Sequence, residues 1–235
     1  MADLWELMQD CIPNDHTRQV ASTYYLDAAM TAPDAPDFVV DLGCGADTSA
    51  DLFRRYNPKV TWLGVDISSS LEAQARVAKT DPVVYYDGVH LPLCNDSVPL
   101  IYSKQVFEHV RYPAELLGEI ARVLQPGGAF IGSTSYLEPY HSRSLWNYTP
   151  YGFRVLVEDV GLRLEEIRPG IDGITLIERS YKGRPPEYNK YWSTDSPLNV
   201  EIENWGQATN RRRALINLRK LTYCGHFAFR IRKPE

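Results

Sequence analysis

Two glycines and a set of acidic side chains carry the first recognisable chemistry of this chain. Phe38-Val39-Val40-Asp41-Leu42-Gly43-Cys44-Gly45 passes from an apolar run into paired glycines, and Asp47, Thr48 and Ser49 follow. The run predicts a buried strand, the glycines a tight turn, and the three polar residues the cap of a helix. A turn of this kind lets a ligand lie against bare backbone at a helix N-terminus. Asp66 stands roughly twenty residues further on, after the predicted strand Val60-Thr61-Trp62-Leu63-Gly64-Val65, where a carboxylate reaches ribose hydroxyls in nucleotide-type α/β folds. His109, in Phe107-Glu108-His109-Val110, and His141, in Tyr140-His141-Ser142-Arg143, add imidazoles suited to moving a proton near neutral pH.

The turn excludes one ligand class. A dinucleotide fold wants a third glycine, which counted from Gly43 falls on Thr48. Asp47 would also repel a pyrophosphate at the helix mouth. A cation reverses that logic. S-adenosylmethionine carries a sulfonium and an ammonium and no phosphate, so Asp41, Asp47 and Asp66 suit it better than they suit NAD. Asp47 reads equally well as a helix cap turned to water.

These residues need a scaffold, and strand and helix patterns alternate along the chain. Strands are predicted over 37–42, 60–66, 82–87, 99–104 and 128–134, and helices over 48–56, 69–79 and 113–124. Such alternation implies an α/β fold with a mostly parallel sheet and helices on both faces. Gly43, Asp66, Asp87 and Gln105 then share the rim at the carboxyl ends of the strands, where ligands bind in such sheets. Short helices over 3–11 and 14–30 precede the sheet, the second capped by Asn14 or Asp15. Pro99 starts the fourth strand late, because proline gives no ladder hydrogen bond. A helix over 150–160 opens at Thr149-Pro150 and ends at Gly161. Leu162–Ile167 reads as a sixth strand, and Gly225–Arg232, alternating apolar and polar, as an antiparallel last strand. Between them lies a tyrosine-rich insert, 170–222, with a helix near 207–222. It is expected to serve as a substrate lid or as the interface of a homodimer.

Five stretches in order resemble class I S-adenosylmethionine-dependent methyltransferases: Asp41-Leu42-Gly43-Cys44-Gly45; Gly64-Val65-Asp66-Ile67-Ser68; Asp87-Gly88 with Leu91-Pro92-Leu93; Phe107-Glu108-His109-Val110 with Pro113; and Arg122-Val123-Leu124-Gln125-Pro126-Gly127-Gly128. The likeness covers residues 36 to 168 well and the rest loosely. It implies a Rossmann-like seven-stranded sheet forming a single domain over 1–235, with the last strand beside the fifth and N-terminal helices, 1–32, lying over the cofactor. It also implies cofactor contacts from Asp41, Gly43, Cys44, Gly45, Asp66, Ile67, Asp87, Gly88 and Gln105. Three departures stand out: Asp47 in the cofactor loop, Val98-Pro99 in place of Phe-Asp, and the long insert.

Methyl transfer from a sulfonium is an in-line displacement in which an enzyme aligns the nucleophile, excludes water and removes a proton. His141 is the first candidate base and His109 its rival. Glu108-His109 resembles a pair that supports substrate or metal in some relatives, but Gln105 offers an amide where those relatives place a carboxylate, so no metal is expected. Tyr140, Trp146 and Tyr148 are candidate substrate contacts; aromatic hydroxyls suit sugars and, nearly as well, aromatic natural products. The segment from His141 to Pro150 is similar to ones in bacterial glycan and secondary-metabolite methyltransferases. A small-molecule hydroxyl is therefore the expected acceptor. The alternatives are a quinone or lipid-precursor methyltransferase with a more apolar mouth and a metal, and a non-catalytic S-adenosylmethionine-binding protein.

Bulk properties narrow the partners. A net charge of -5 suits a polyanion poorly, and Arg211-Arg212-Arg213 reads as a solvated helix face. The cysteines, Cys11, Cys44, Cys94 and Cys224, have neither disulfide-pair nor zinc spacing. No leader or membrane span is apparent, so a cytoplasmic setting is expected, with no nucleic-acid or membrane partner.

Overall fold

The structure, a computed structural model, describes residues 4–46, 49–75 and 81–235. Asp47, Thr48, the first residue of the 3–11 helix and the end of the 69–79 helix lie outside the described residues. Among the described residues, seven strands form one sheet: β1 Phe38–Leu42, β2 Thr61–Ile67, β3 Val83–Tyr86, β4 Val98–Lys104, β5 Leu124–Ser135, β6 Arg163–Pro169 and β7 His226–Arg232. Their spatial order is β3-β2-β1-β4-β5-β7-β6. β1 to β5 pair in parallel, and β7 runs antiparallel between β5 and β6. The helices are α1 Leu4–Met8, α2 Tyr24–Thr31, α3 Ser49–Tyr56, α4 Leu71–Gln74, α5 Pro113–Val123, α6 Pro150–Asp159, α7 Gly173–Tyr181, α8 Pro197–Ala208 and α9 Arg213–Thr222. This is the expected Rossmann-like architecture.

The central strands are apolar on both sides because both sides are covered. Val40, Ile101, Phe130 and Phe229 face a core built with Leu116 and Ile120 of α5 and Phe153 of α6. Their neighbours Val39, Leu100 and Ile131 face the opposite core, built with Leu26 of α2 and Phe53 of α3. After β3 the chain returns past β1 to lay down β4. The winding reverses between β1 and β4, and ligands of open α/β sheets sit outside the strand ends at such a point.

Three expectations are corrected. The second helix begins at Tyr24, not at 14. The segment before it is held by side chains of α9 instead. Asn217 Nδ2 donates to the carbonyls of Pro13 and His16, and Lys220 Nζ donates to that of Thr17 at 2.6 Å. Asn14, read as a cap for its own helix, accepts from the Ala214 amide. Second, β4 includes Val98 and Pro99; the register with β5 shifts between Val98 and Leu100, and this irregularity accommodates the proline. Third, the single helix expected near 207–222 is two, broken where Asn210 takes a φ of 50°. The helices pack so closely that a Cβ on Gly206 would meet Ile216 at 2.4 Å. The arginine triplet lies at this break and is used within the chain. Arg211 covers Trp205, Arg212 stacks 4.2 Å from the Trp5 ring, and Arg213 donates to the Asp15 carbonyl. Among the described residues no helix is long and apolar enough to cross a membrane.

Candidate active site

Gly43 leaves β1 with φ 75° and Gly45 follows with φ 55°. A Cβ at Gly43 would meet the Val106 side chain at 2.3 Å. Both the backbone angle and the close approach therefore require glycine there. The turn is locked to β2: Gly43 N donates to the Val65 carbonyl at 2.7 Å, and Gly45 N donates to Asp66 Oδ2 at 2.9 Å. The other Asp66 oxygen accepts from Ile67 N at 2.8 Å. Asp66 is buried and braces the two strand ends against each other. Asp41, also buried, accepts a hydrogen bond from the Ser49 hydroxyl at the start of α3. Burial pushes its carboxyl up to about 7, and the charge of Asp66 adds to the rise. Cys44 is buried, with its Sγ 2.7 Å from where a Cβ on Gly64 would fall, so its side chain packs against β2.

Asp87 follows β3 but spends its carboxylate on its own turn. Oδ1 accepts from the amides of Val89 and His90, and Oδ2 lies 2.7 Å from His90 Nδ1. The His90 hydrogen bond, with the two amides, holds this exposed carboxyl down at about 2. Gly88 beside it has φ 95°.

The second half of the site is a side-chain cluster after β4 and β5. Gln105, at φ 55°, spans two hydroxyls of β5: its Nε2 donates to Ser133 and its Oε1 lies near Ser135 Oγ, both at 3.1 Å. A single 3-10 turn, Phe107–His109, then places Glu108 in the interior and His109 at the rim. Glu108 accepts from Thr134 Oγ1 at 2.9 Å and lies 3.2 Å from Ser135 Oγ. Its carbonyl accepts from the amides of Leu145 and Trp146, tying down the loop that carries His141.

His141 is partly buried. Its Nδ1 lies 3.2 Å from the Pro139 carbonyl, which can only accept, so the proton of that contact sits on Nδ1 and Nε2 keeps a lone pair. The His109 and His141 rings meet edge to face at 5.3 Å. His109 Nδ1 is buried without a hydrogen-bond partner among the described residues. The two rivals for the base are thus neighbours.

Ligand atoms of Glu108, His109 and His141 all lie within 4.8 Å of one another, a donor set that suits a divalent cation as well as proton transfer. Glu108, however, already has hydroxyls on both oxygens. Ser135 has one proton and three acceptors in reach: Gln105, Glu108 and Glu138, the last at 2.5 Å. A protonated Glu108 completes this network by donating to Ser135, which donates to Glu138. Burial raises the Glu108 carboxyl, consistent with that state.

The expected acceptor contacts divide. Tyr140 is 75% exposed beside His141, and Trp146 is half-exposed with its indole donating to the Val110 carbonyl at 2.8 Å. Tyr148 lies in the core: its hydroxyl donates to the Phe107 carbonyl and its ring packs on Phe153. Its place at the rim is corrected. Glu138, Ser135 and His226 escaped the sequence reading. The polar run Ser133-Thr134-Ser135 at the end of an apolar strand was the available signal for the cluster.

This sheet order, with a glycine turn after the first strand and buried carboxylates at the ends of the first two, defines the class I methyltransferase architecture. Residues 40–132 match the family model of the methyltransferase domain. A Mycolicibacterium smegmatis protein named for S-adenosylmethionine-dependent methyl transfer is 30% identical over 151 residues, 60% of this chain and 57% of its own length. Trans-aconitate 2-methyltransferase of Methylobacterium nodulans is 35% identical over 96 residues, 40% of this chain and 36% of its own. An S-adenosylmethionine-dependent methyltransferase from Mesorhizobium loti superimposes with a TM-score of 0.53 over 90% of this chain and 98% of that one, at 18% identity. Residues 40–132 thus match a methyltransferase domain, and the chain as a whole has the class I methyltransferase fold. It spans little more than half the length of the first curated relative and about a third of the second.

Proposed function

We propose that this protein methylates a hydroxyl of a small molecule whose body is apolar or aromatic, with His141 as the base. One observation carries the reading: the glycine turn, Asp66 and the His109–His141 pair stand on one rim of the sheet, so donor and base converge. The donor side fits S-adenosylmethionine. Gly43 and Gly45 offer bare backbone, and the buried Asp66 carboxylate favours a cation. Asp66 would accept from the ribose hydroxyls, and the backbone of Cys44, Ile67, Gly88 and Gln105 would complete the cradle.

When bound, S-adenosylmethionine supplies a methyl group activated for displacement. His141 Nε2 would take the acceptor's proton as the acceptor oxygen attacks, and the donor would give up its methyl group and leave as S-adenosylhomocysteine. The acceptor's apolar body is read from the mouth. Large apolar side chains stand exposed on the loop after β5, at Leu137, Leu145 and Trp146, and along one face of α7, at Ile174, Ile177 and Tyr181. A Cβ on Gly173 would meet Leu137 at 2.6 Å, so the two stretches adjoin. A sugar would leave this surface wet, whereas an amphipathic alcohol or phenol covers it.

Calorimetry with S-adenosylhomocysteine tests the donor half; a folded protein that binds neither cofactor nor product rejects it. A panel of sugars, phenols and long-chain alcohols, read by S-adenosylhomocysteine release, tests the acceptor half. Phenols or alcohols should turn over, and Ile174→Asp with Ile177→Asp should raise their KM without changing the oligomeric state. A sugar preference sinks the apolar reading, and dissociation of a dimer in that variant assigns α7 to subunit contact instead.

A further inference from the structure

The Glu138 carboxylate lies where three parts of the chain meet. A single oxygen, Oε2, accepts from the Ser135 hydroxyl at 2.5 Å and sits 2.6 Å from His226 Nε2 and 3.6 Å from His141 Nδ1. The carboxylate and its three polar neighbours are largely shielded: Ser135 is buried, the side chains of Glu138 and His226 are each 14% exposed and that of His141 18%. His226 opens β7, the strand that follows the insert. Its ring stacks on Trp192 at 5.3 Å with 27° between planes, and Trp192 in turn lies under the Arg179 guanidinium of α7. A continuous line of contacts therefore runs from the insert to the base: Arg179, Trp192, His226, Glu138, His141.

An imidazole that accepts a proton on Nε2 must carry its other proton on Nδ1, and must be stabilised once it becomes a cation. A carboxylate beside Nδ1 does both. The Pro139 carbonyl favours the same tautomer but supplies no charge. Glu108, another carboxylate nearby, is turned inward to Thr134 and Ser135, and the His109 and His141 rings meet edge to face. Glu138 is thus the charge placed for this role. Burial works to raise its carboxyl, yet the His226 and Ser135 hydrogen bonds and the His226 charge outweigh burial and hold it below its ordinary value.

We propose that Glu138 is the positioning residue of the His141 base, and that the insert sets Glu138 through the Trp192–His226 stack. The proposal rests on His141 as the base. It gives the insert a role in assembling the reacting geometry, beyond covering the acceptor.

Long-range 1H–15N spectra of the histidine side chains in the full chain test it, with His141 assigned by its loss in His141→Gln. Wild type should show His141 protonated on Nδ1. Glu138→Gln should move the signal toward a mixture of tautomers, as should His226→Gln, which keeps the carboxylate if the first variant folds poorly. Trp192→Ala should move it the same way by less. In turnover, Glu138→Gln should lower kcat about tenfold or more, leave the affinity for S-adenosylmethionine unchanged, and cost nothing further in a His141→Ala background. An unmoved His141 signal in both Glu138→Gln and His226→Gln overturns the positioning role, and an unmoved signal in Trp192→Ala overturns the insert's part. An equal kcat loss with and without His141 makes Glu138 merely structural and also overturns the proposal. Failure to bind S-adenosylmethionine in wild type would remove the methyltransferase reading while leaving the tautomer result intact, so the two failures are distinct.

Discussion

The two stretches of this rim, one at the ends of β1 and β2 and the other at the ends of β4 and β5 and the start of β7, are built in opposite ways. The first is made of backbone. Its carboxylate, Asp66, is satisfied by amides of the adjoining turn and of its own strand. The second is made of side chains drawn from remote positions, Gln105, Glu108, Ser135, Glu138, His141 and His226, held by hydroxyls and imidazoles. A backbone cradle suits a ligand that is the same in every turnover. A side-chain cluster suits proton movement, because each member changes its hydrogen bonds as charge shifts.

This contrast is sharpened by damaging each stretch separately. The largest effect is expected at the side-chain stretch. His141→Ala should lower kcat about a hundredfold or more while calorimetry finds S-adenosylmethionine affinity nearly unchanged. Equal losses in both quantities would erase the division of labour. Next, Asp66→Ala should weaken cofactor binding by about 1.5–3 kcal/mol, the scale of losing hydrogen bonds to a charged acceptor. An unchanged dissociation constant would remove Asp66 from the cradle and leave it as a brace for Gly45 alone.

The smallest effect is a pH slope. The folded Asp41 carboxyl is raised from 3.8 to about 7. Between those values the unfolded chain has lost this proton and the folded protein still holds it, so the folded state binds more protons. Asp41 therefore costs stability progressively as pH rises from about 4 to 7. Melting temperatures of Asp41→Asn, which keeps an acceptor for Ser49, should fall less over that range than those of wild type. Parallel curves would mean that Asp41 is ionised in the folded protein.

The two stretches also differ in how far they were legible in the sequence. Gly43, Gly45 and Asp66 lie within two neighbouring strand ends, so short-range spacing sufficed to place them. The parallel core was legible for a similar reason, since strands covered on both faces announce themselves as apolar runs. Asp87 shows the limit even there: its identity and position pointed to the ligand, yet His90, three residues on, takes its carboxylate. In the other stretch, pairing Glu138 with His226 requires knowing that β7 returns to β5 across the whole insert, information no local pattern holds. Tyr148 was misplaced because an aromatic hydroxyl looks polar in sequence, while here the Phe107 carbonyl lets it sit in the core. The helix expected from 14 failed likewise, because its cap and carbonyls were claimed by residues of α9 some two hundred positions away.

The interior position of β7 has a consequence for synthesis. Every strand up to β6 is laid down before it, so a nascent chain still lacking Phe227 to Arg232 has an open slot, with unmet backbone groups on the facing edges of β5 and β6. Closing that slot brings His226 to Glu138 in the same event. The contact that ties the insert to the Glu138 carboxylate therefore forms only as β7 locks in.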